Sequence, residues 1–315
     1  MAEHTLTAVF QTFGHTQALK EGVVRPKTVS LQFEEVSPII AAFRRMVRGD
    51  EFDVCEMAFT TYLCAKSHGK PFTALPIFLV RAFHHGAILV NANAGVRTPK
   101  DLEGKKVGVN RGYTVTTGVW ARGILQHQYG VDLKKITWVL SGDEHVAEYR
   151  PPANVVPIGA GKKMEDMLIS GELVAAIGVG VDHPNIKPLI PDAAQAGFEA
   201  LTARGQYPIN HTLVVKDKVL AADPSLATDL FSAFVEAKQL YLRNLREGVI
   251  SSPTKTDQLY KKVMELTGKD PLPYGVSANR GAIEELVQFA REQGIIKEAP
   301  ALTDLFAPGT RDLSG

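Results

Sequence analysis

Cysteine is nearly absent: Cys55 and Cys64 are the only two in 315 residues. Two thiols cannot build a disulfide framework or a cysteine zinc site. They read as ordinary thiols of a reducing compartment, although two cysteines could pair in an exported chain. A charge excess is also lacking, with 35 Lys and Arg against 34 Asp and Glu. That balance argues against a nucleic-acid surface, which needs a basic face. No block of like charge suggests a tail. No apolar run reaches bilayer length, so no membrane partner is expected. The first residues, MAEHTLTAVFQTFGH, have no basic start, long apolar stretch or small-residue cleavage site. They do not read as a secretory signal, and the expected location is cytoplasmic.

What is present is a hydrophobic content of 45%, enough for one large domain or two medium ones. Short apolar runs rich in β-formers alternate with helical patterns. TLTAVF (5–10), TVSLQF (28–33) and FDVCEM (52–57) read as strands. Ser37-Pro38 reads as an N-cap with proline at the first helical position, opening the amphipathic run IIAAFRRMVRGD. TTYLCAKSHGK is a helix closed by Gly69. FTALPIFLV and GAILVN are the next apolar runs, and further strands are expected at 106–109 and in KITWVL, LVAAIGVG and IKPLI. Asp223-Pro224 reads as the cap of a long helix, and Asn279 as the cap of the last substantial one. The alternation implies parallel α/β sheets with helices on both faces, and no repeat or low-complexity segment interrupts it.

In open α/β sheets ligands bind beyond the carboxyl ends of strands, which selects the loops 11–16, 58–61, 110–117 and 178–183. In QTFGHTQAL, Thr12, His15 and Thr16 could face an anion at a helix start or simply cap that helix. In AFTTYL, one of Thr60 and Thr61 could cap while the other faces a ligand. NRGYTVTTGVW is the strongest local candidate: Asn110, Gly112, Tyr113, Thr114, Thr116 and Thr117 lie between a strand and a helix. It matches neither a Walker loop nor the dinucleotide fingerprint, so a small anion fits better than a nucleotide. GDEH (142–145) reads as a solvated turn, and GVGVD lacks the serine of a hydrolase elbow. No spacing demands a metal, and none is assigned. In VRAFHHGAILVN (80–91), strand alternation puts Arg81, Phe83 and His85 on one face and His84 on the other. Arg81 and His85 are then candidates to anchor and protonate an anion, with His84 structural by default. His211 in YPINHTLVV matters if the chain crosses between domains there.

The stretches FDVCEMAFTTYLCAKSHG, PIFLVRAFHHGAILVN, GVRTPKDLEGKKVGVN, VWARGILQHQYGVDLKKITWV, YPINHTLVVKDKVL and PYGVSANR resemble the 4,5-dihydroxyphthalate decarboxylase family over most of the chain. Arg81-Ala82-Phe83 and His85 look like the family pattern, and His84 stands where arginine is frequent. One departure is the loop QTFGHTQAL, which lacks the Asp of the family's acidic stretch. The resemblance implies a two-domain type 2 periplasmic binding protein-like fold with a ligand cleft between the domains. The first domain would hold 1–90 and 210–315, the second 91–209, with crossings near GAILVN and YPINHT.

The resemblance further implies loss of a carboxylate from a hydroxylated aromatic dicarboxylate, as in phthalate degradation, without an organic cofactor. A cation is needed for the retained carboxylate, a role for Arg81. A proton donor is needed for the ring carbon, a role for His85 or His211. Thr60, Thr116 and Thr117 suit carboxylate or phenol contacts. The rival expectation is a non-catalytic solute-binding protein for a small aromatic or carboxylate anion. A third is a biosynthetic enzyme of this fold acting on another organic acid. The expected partner is a small aromatic carboxylate; a divalent metal and homo-oligomerisation are left open.

Overall fold

The structure is a computed structural model and describes residues 4–315. Its strands are β1 (His4–Val9), β2 (Val29–Phe33), β3 (Val54–Ala58), β4 (Phe72–Arg81), β5 (Ile88–Asn91), β6 (Lys106–Val109), β7 (Thr137–Leu140), β8 (Val155–Pro157), β9 (Ala175–Ile177), β10 (Ile186–Pro188) and β11 (Ile209–Lys216). The principal helices are α1 (Gly14–Lys20), α2 (Ile40–Gly49), α3 (Phe59–Ser67), α4 (Thr116–Tyr129), α5 (Met164–Ser170), α6 (Ala193–Arg204), α7 (Asp217–Ala222), α8 (Leu226–Glu247), α9 (Lys255–Thr267) and α10 (Val276–Glu292).

Two sheets form, ordered β2-β1-β3-β11-β4 and β10-β5-β9-β6-β7-β8. The chain leaves the first sheet after β4, builds the second, and returns to the first at β11. The two-sheet α/β architecture expected from the sequence is present, with one correction: the sheets are mixed, not parallel. β11 runs antiparallel between β3 and β4, and β5 runs antiparallel to both β9 and β10. A strand added after the chain crosses back has no helical crossover to force it parallel.

Period-two alternation sorts the first sheet's side chains between two cores. Val54, Leu213 and Val215 join Leu19 of α1 and Leu230, Phe231 and Phe234 of α8 on one face. Cys55, Met57 and Val214 join Phe43 of α2, Tyr62 of α3 and Ile283 of α10 on the other. This second core continues through Trp120 and Ile124 of α4 to Val107, Val109 and Ile177 of the second sheet. Gly123 is required where α4 meets α10: a Cβ there would lie 2.1 Å from a Phe289 ring carbon. Both cysteines are free and buried.

Three expected helix caps lie elsewhere. Ser37 does not cap α2. The chain first turns with Ala41 N donating to Pro38 O at 2.9 Å, and Ile39 occupies the cap position. Ser225, not Asp223, precedes α8, while Asp223 Oδ1 accepts the Ser225 amide at 2.9 Å. Asn279 lies inside the first turn of α10, whose cap is Gly275 at φ 99°, a conformation that favours glycine.

Candidate active site

β3 is buried at all five positions, yet it contains Glu56, whose exposure is 0%. A buried carboxylate needs donors. Glu56 Oε2 accepts the Gln11 backbone amide at 2.8 Å, and Oε1 accepts Gln11 Nε2 at 3.3 Å and His211 Nδ1 at 2.6 Å. Gln11 follows β1, and His211 on β11 sits opposite Ala58 at the end of β3. Three strands therefore fix this dyad at their cleft ends. The His211 side chain is 18% exposed, and the Phe43 ring meets it edge-on at 5.1 Å. With Nδ1 turned to Glu56, Nε2 has no protein partner among the described residues and is the atom left for an incoming molecule.

Directly after Ala58, α3 begins, and its start abuts the start of α4. Thr60 Oγ1 lies 2.8 Å from Thr116 Oγ1 and donates to Thr114 O at 2.5 Å; Thr60 N donates to Thr116 Oγ1 at 3.2 Å. Two helix N-termini thus converge, α3 starting directly after Ala58, the residue that His211 pairs with, and their partial positive charges add. α4 has no side-chain cap, and its first intrahelical bond is donated by Val119 to Val115 O at 3.0 Å. The amides of residues 116–118 precede that bond and are free for an anion. A cavity of about 110 Å³ opens there, lined by Asn110, Arg111, Thr117 and Gly178 among others. Arg111 is held at φ 70°, in the left-handed region, by its amide donating to Ser141 Oγ at 2.7 Å.

The loop behind this cradle is tied down by a half-buried carboxylate and a buried guanidinium. Glu144 Oε2 accepts the Thr114 amide at 3.1 Å and its hydroxyl at 2.7 Å, and Oε1 accepts the Tyr113 amide. Arg122 Nη2 donates to Tyr113 O at 2.6 Å, and its guanidinium stacks 3.8 Å from the Tyr113 ring. Asn110 Nδ2 donates to Gly178 O at 2.8 Å, and its Oδ1 accepts Ser141 Oγ at 3.1 Å. Asn110, Tyr113, Thr114, Thr60 and Thr116 are thus already engaged with protein partners, and Thr117 is half-buried at the small cavity. The Thr61 hydroxyl is buried without a partner.

The other expected residues go elsewhere. Thr16 Oγ1 accepts the Phe13 amide and donates to Gln11 O, both at 2.8 Å, which secures the start of α1. Thr12 and His15 line a separate cavity of about 750 Å³ against Tyr241, Asp257 and Tyr260. His15 stacks on Phe13 at 5.1 Å, and burial holds it down at about 4.

Arg81 and His85 do not share a strand face. β4 ends at Arg81, and His85 opens a short 3-10 turn, so period-two alternation has stopped between them. Arg81 Nη1 donates to Tyr207 O at 2.8 Å and Nη2 to Asn279 Oδ1. His85 Nε2 faces Gln128 Oε1 at 2.9 Å, and burial lowers its pKa. His84 is buried with Nε2 2.9 Å from Asn210 Oδ1, and burial pushes it down to about 4. Among the described residues no group of three or more His, Cys, Asp or Glu side chains is placed to hold a metal.

Sequence reasoning passed over Glu56, Gln11 and Arg122, and it read GDEH as a solvated turn, whereas Glu144 is half-buried with three donors from Tyr113 and Thr114 and His145 is buried. The available signal was an acid or base inside an apolar run, as in FDVCEM, where a charge demands a buried partner.

No family model matches the chain. Solved structures share its fold. The periplasmic aliphatic sulphonate binding protein SsuA from Escherichia coli aligns with a TM-score of 0.57, 13% identity, and coverage of 98% of this chain and 99% of that one. The alkanesulfonate-binding protein SsuA from Xanthomonas axonopodis pv. citri aligns at 0.53 with 16% identity and 99% coverage of both chains. The desulfurization enzyme DSZB aligns at 0.53 with 15% identity, over 98% of this chain and 97% of that one. The chain is 29% identical over 303 residues to 4,5-dihydroxyphthalate decarboxylase from Comamonas testosteroni, covering 89% of this chain and 91% of the relative. It is 31% identical over 195 residues to the protein of that name from Pseudomonas putida, covering 55% of this chain and 75% of the relative. On a periplasmic binding protein-like fold, the chain belongs to the 4,5-dihydroxyphthalate decarboxylase family.

Proposed function

We propose that this protein is a carboxy-lyase that converts a hydroxylated aromatic dicarboxylate such as 4,5-dihydroxyphthalate into protocatechuate and carbon dioxide. The observation that carries the reading is the Glu56–His211 dyad, its Nε2 open, beside two converging helix starts. The family relationship supplies the substrate class.

In such a substrate one ring hydroxyl lies para to the departing carboxylate. The ring takes a proton at the carbon bearing that carboxylate while the hydroxyl oxygen pushes electrons and releases its own proton. The carbon–carbon bond then breaks, its electron pair restores the aromatic ring, the oxygen regains a proton, and carbon dioxide leaves. One proton is consumed overall. His211 Nε2 delivers it, because Glu56 fixes the ring through Nδ1 and water can recharge a side chain with 18% exposure. The free amides of residues 116–118, Thr117 and Arg111 hold the retained carboxylate. Arg81 and His85 stand outside this arrangement because their side chains turn to Tyr207, Asn279 and Gln128.

Purified protein is incubated with 4,5-dihydroxyphthalate while carbon dioxide and protocatechuate are followed. Product formation that disappears in His211→Asn is the expected result. Tight binding without product would make the chain a binding protein for this class of anion. Absence of both would sink the substrate assignment.

A further inference from the structure

Arg81 presents an unbalanced charge. It is 3% exposed, and no carboxylate lies within ion-pair distance of it among the described residues. Its guanidinium carries five N–H donors. Two acceptors are filled, Tyr207 O at 2.8 Å and Asn279 Oδ1, and Nε is buried with no partner. The Tyr207 ring, 4.7 Å from the guanidinium carbon, offers only a π-face. Asp270, whose charge reaches Arg81, is already paired with the buried Lys238. A buried cation is tolerated when it is compensated, and here the protein leaves that compensation incomplete.

Arg81 is also among the residues that line a cavity of about 490 Å³ between α6, α9 and α10. Neither His211 nor the cradle at the start of α4 borders this cavity. Its walls are apolar at Leu201, Val263, Leu266 and Ala282, and Leu266 is 41% exposed at its mouth. Lys269 adds a second cation beside it. Thr202, Thr267, Asn279 and Asp270 also line it, and with Asp270 held by Lys238 the uncompensated buried charge at the cavity is that of Arg81, which suits a flat apolar body with a single anionic group. Arg81 is the last residue of β4 and Tyr207 lies two residues before β11, so the cavity touches the chain where it leaves the first sheet and where it returns.

We infer that this cavity is a second binding site, separate from the Glu56–His211 site, and that it takes an aromatic monocarboxylate with the carboxylate on Arg81. The reaction product is one source of such a ligand, and an unrelated aromatic acid is another.

Isothermal titration of the protein with benzoate tests the site without using turnover, so loss of decarboxylation would not decide it. Ala278 lines the cavity from an exposed position on α10, so Ala278→Trp is the variant chosen to obstruct it. Wild-type protein and His211→Asn are expected to bind benzoate alike at this site. Ala278→Trp and Arg81→Gln are expected to weaken it at least about tenfold, and benzamide, which lacks the charge, is expected to bind at least about tenfold more weakly than benzoate. Benzoate binding that is absent in the wild type, or unchanged in Ala278→Trp, would overturn the inference. Displacement of benzoate from this site by protocatechuate identifies the product as an occupant; failure of protocatechuate to compete assigns the site to another aromatic acid.

Discussion

Replacing Glu56 by Gln changes almost no volume and removes one acceptor, which makes it a sharp probe of the dyad. The carboxylate receives three donors in a site with 0% exposure: the Gln11 amide, Gln11 Nε2 and His211 Nδ1. A glutamine offers one oxygen and one NH₂. If the oxygen stays toward His211, the NH₂ opposes the Gln11 backbone amide, and if the group flips, it opposes Gln11 Nε2 and His211. Either way a buried donor loses its acceptor, at about 1–3 kcal/mol of stability. For a chain of 315 residues that lowers the midpoint of thermal unfolding by about 1.5–4.5 °C. The chemical effect is larger. A flipped amide pushes the imidazole toward the tautomer with its proton on Nε2 and removes the charge that steadies the imidazolium, so kcat should fall about 10²–10⁴-fold with KM little changed. Steady-state product formation, with circular dichroism to verify folding, reads both effects. A folded Glu56→Gln variant with kcat within about threefold of the wild type would refute the role given to the pair.

Thr117→Val removes a hydroxyl at the free start of α4 while keeping the side chain's shape, and the substrate KM should rise about three- to tenfold with kcat nearly intact, measured by initial rates over a substrate series; a reverse pattern would place Thr117 in the chemistry instead. Stability should fall in mild acid. His15, His84 and His145 are held neutral by burial, each brought down from 6.5 to about 4. Unfolding lets each take a proton, so their full contribution is present above about pH 6.5 and is lost as pH falls toward 4, at about 1.4 kcal/mol per pH unit for each. Urea midpoints at pH 7 and pH 5 that coincide would show that these histidines are not buried neutral.

The legible part of the fold is the part written in local pattern. Val54–Ala58 and Thr137–Leu140 are strands because their apolar runs are short and bounded by turns, and α4 ends at Tyr129 because Gly130 adopts φ 65°. The illegible part depends on partners distant in sequence. Nothing in INHTLVVK says that it inserts antiparallel between β3 and β4, since that pairing is settled by where the chain returns from the second sheet. The caps failed for a related reason: Asp223 and Asn279 have the chemistry of caps, but Asn279 spends its amide on Pro273 O and Gly275 O and its oxygen on Arg81.

The candidate site divides along the same line. The loop 110–117 was recognisable because glycine and threonine between a strand and a helix form a local motif, and α4 does begin there with free amides. The acid–base pair was half visible. His211 stood out as a histidine opening an apolar run, whereas Glu56, 155 residues earlier, looked like one polar position in a strand. Only the sheet order brings them together: β11 lies beside β3, and its register sets His211 opposite Ala58, two residues beyond Glu56. Arg81 shows the converse. Its strand face was read from alternation, but the strand stops at that residue, so the guanidinium follows Tyr207 and Asn279 instead of the cleft. A charge inside an apolar run therefore announces that a partner exists. Which partner it finds is decided by topology, and so is whether the charge serves the main cleft or, as with Arg81, a cavity of its own.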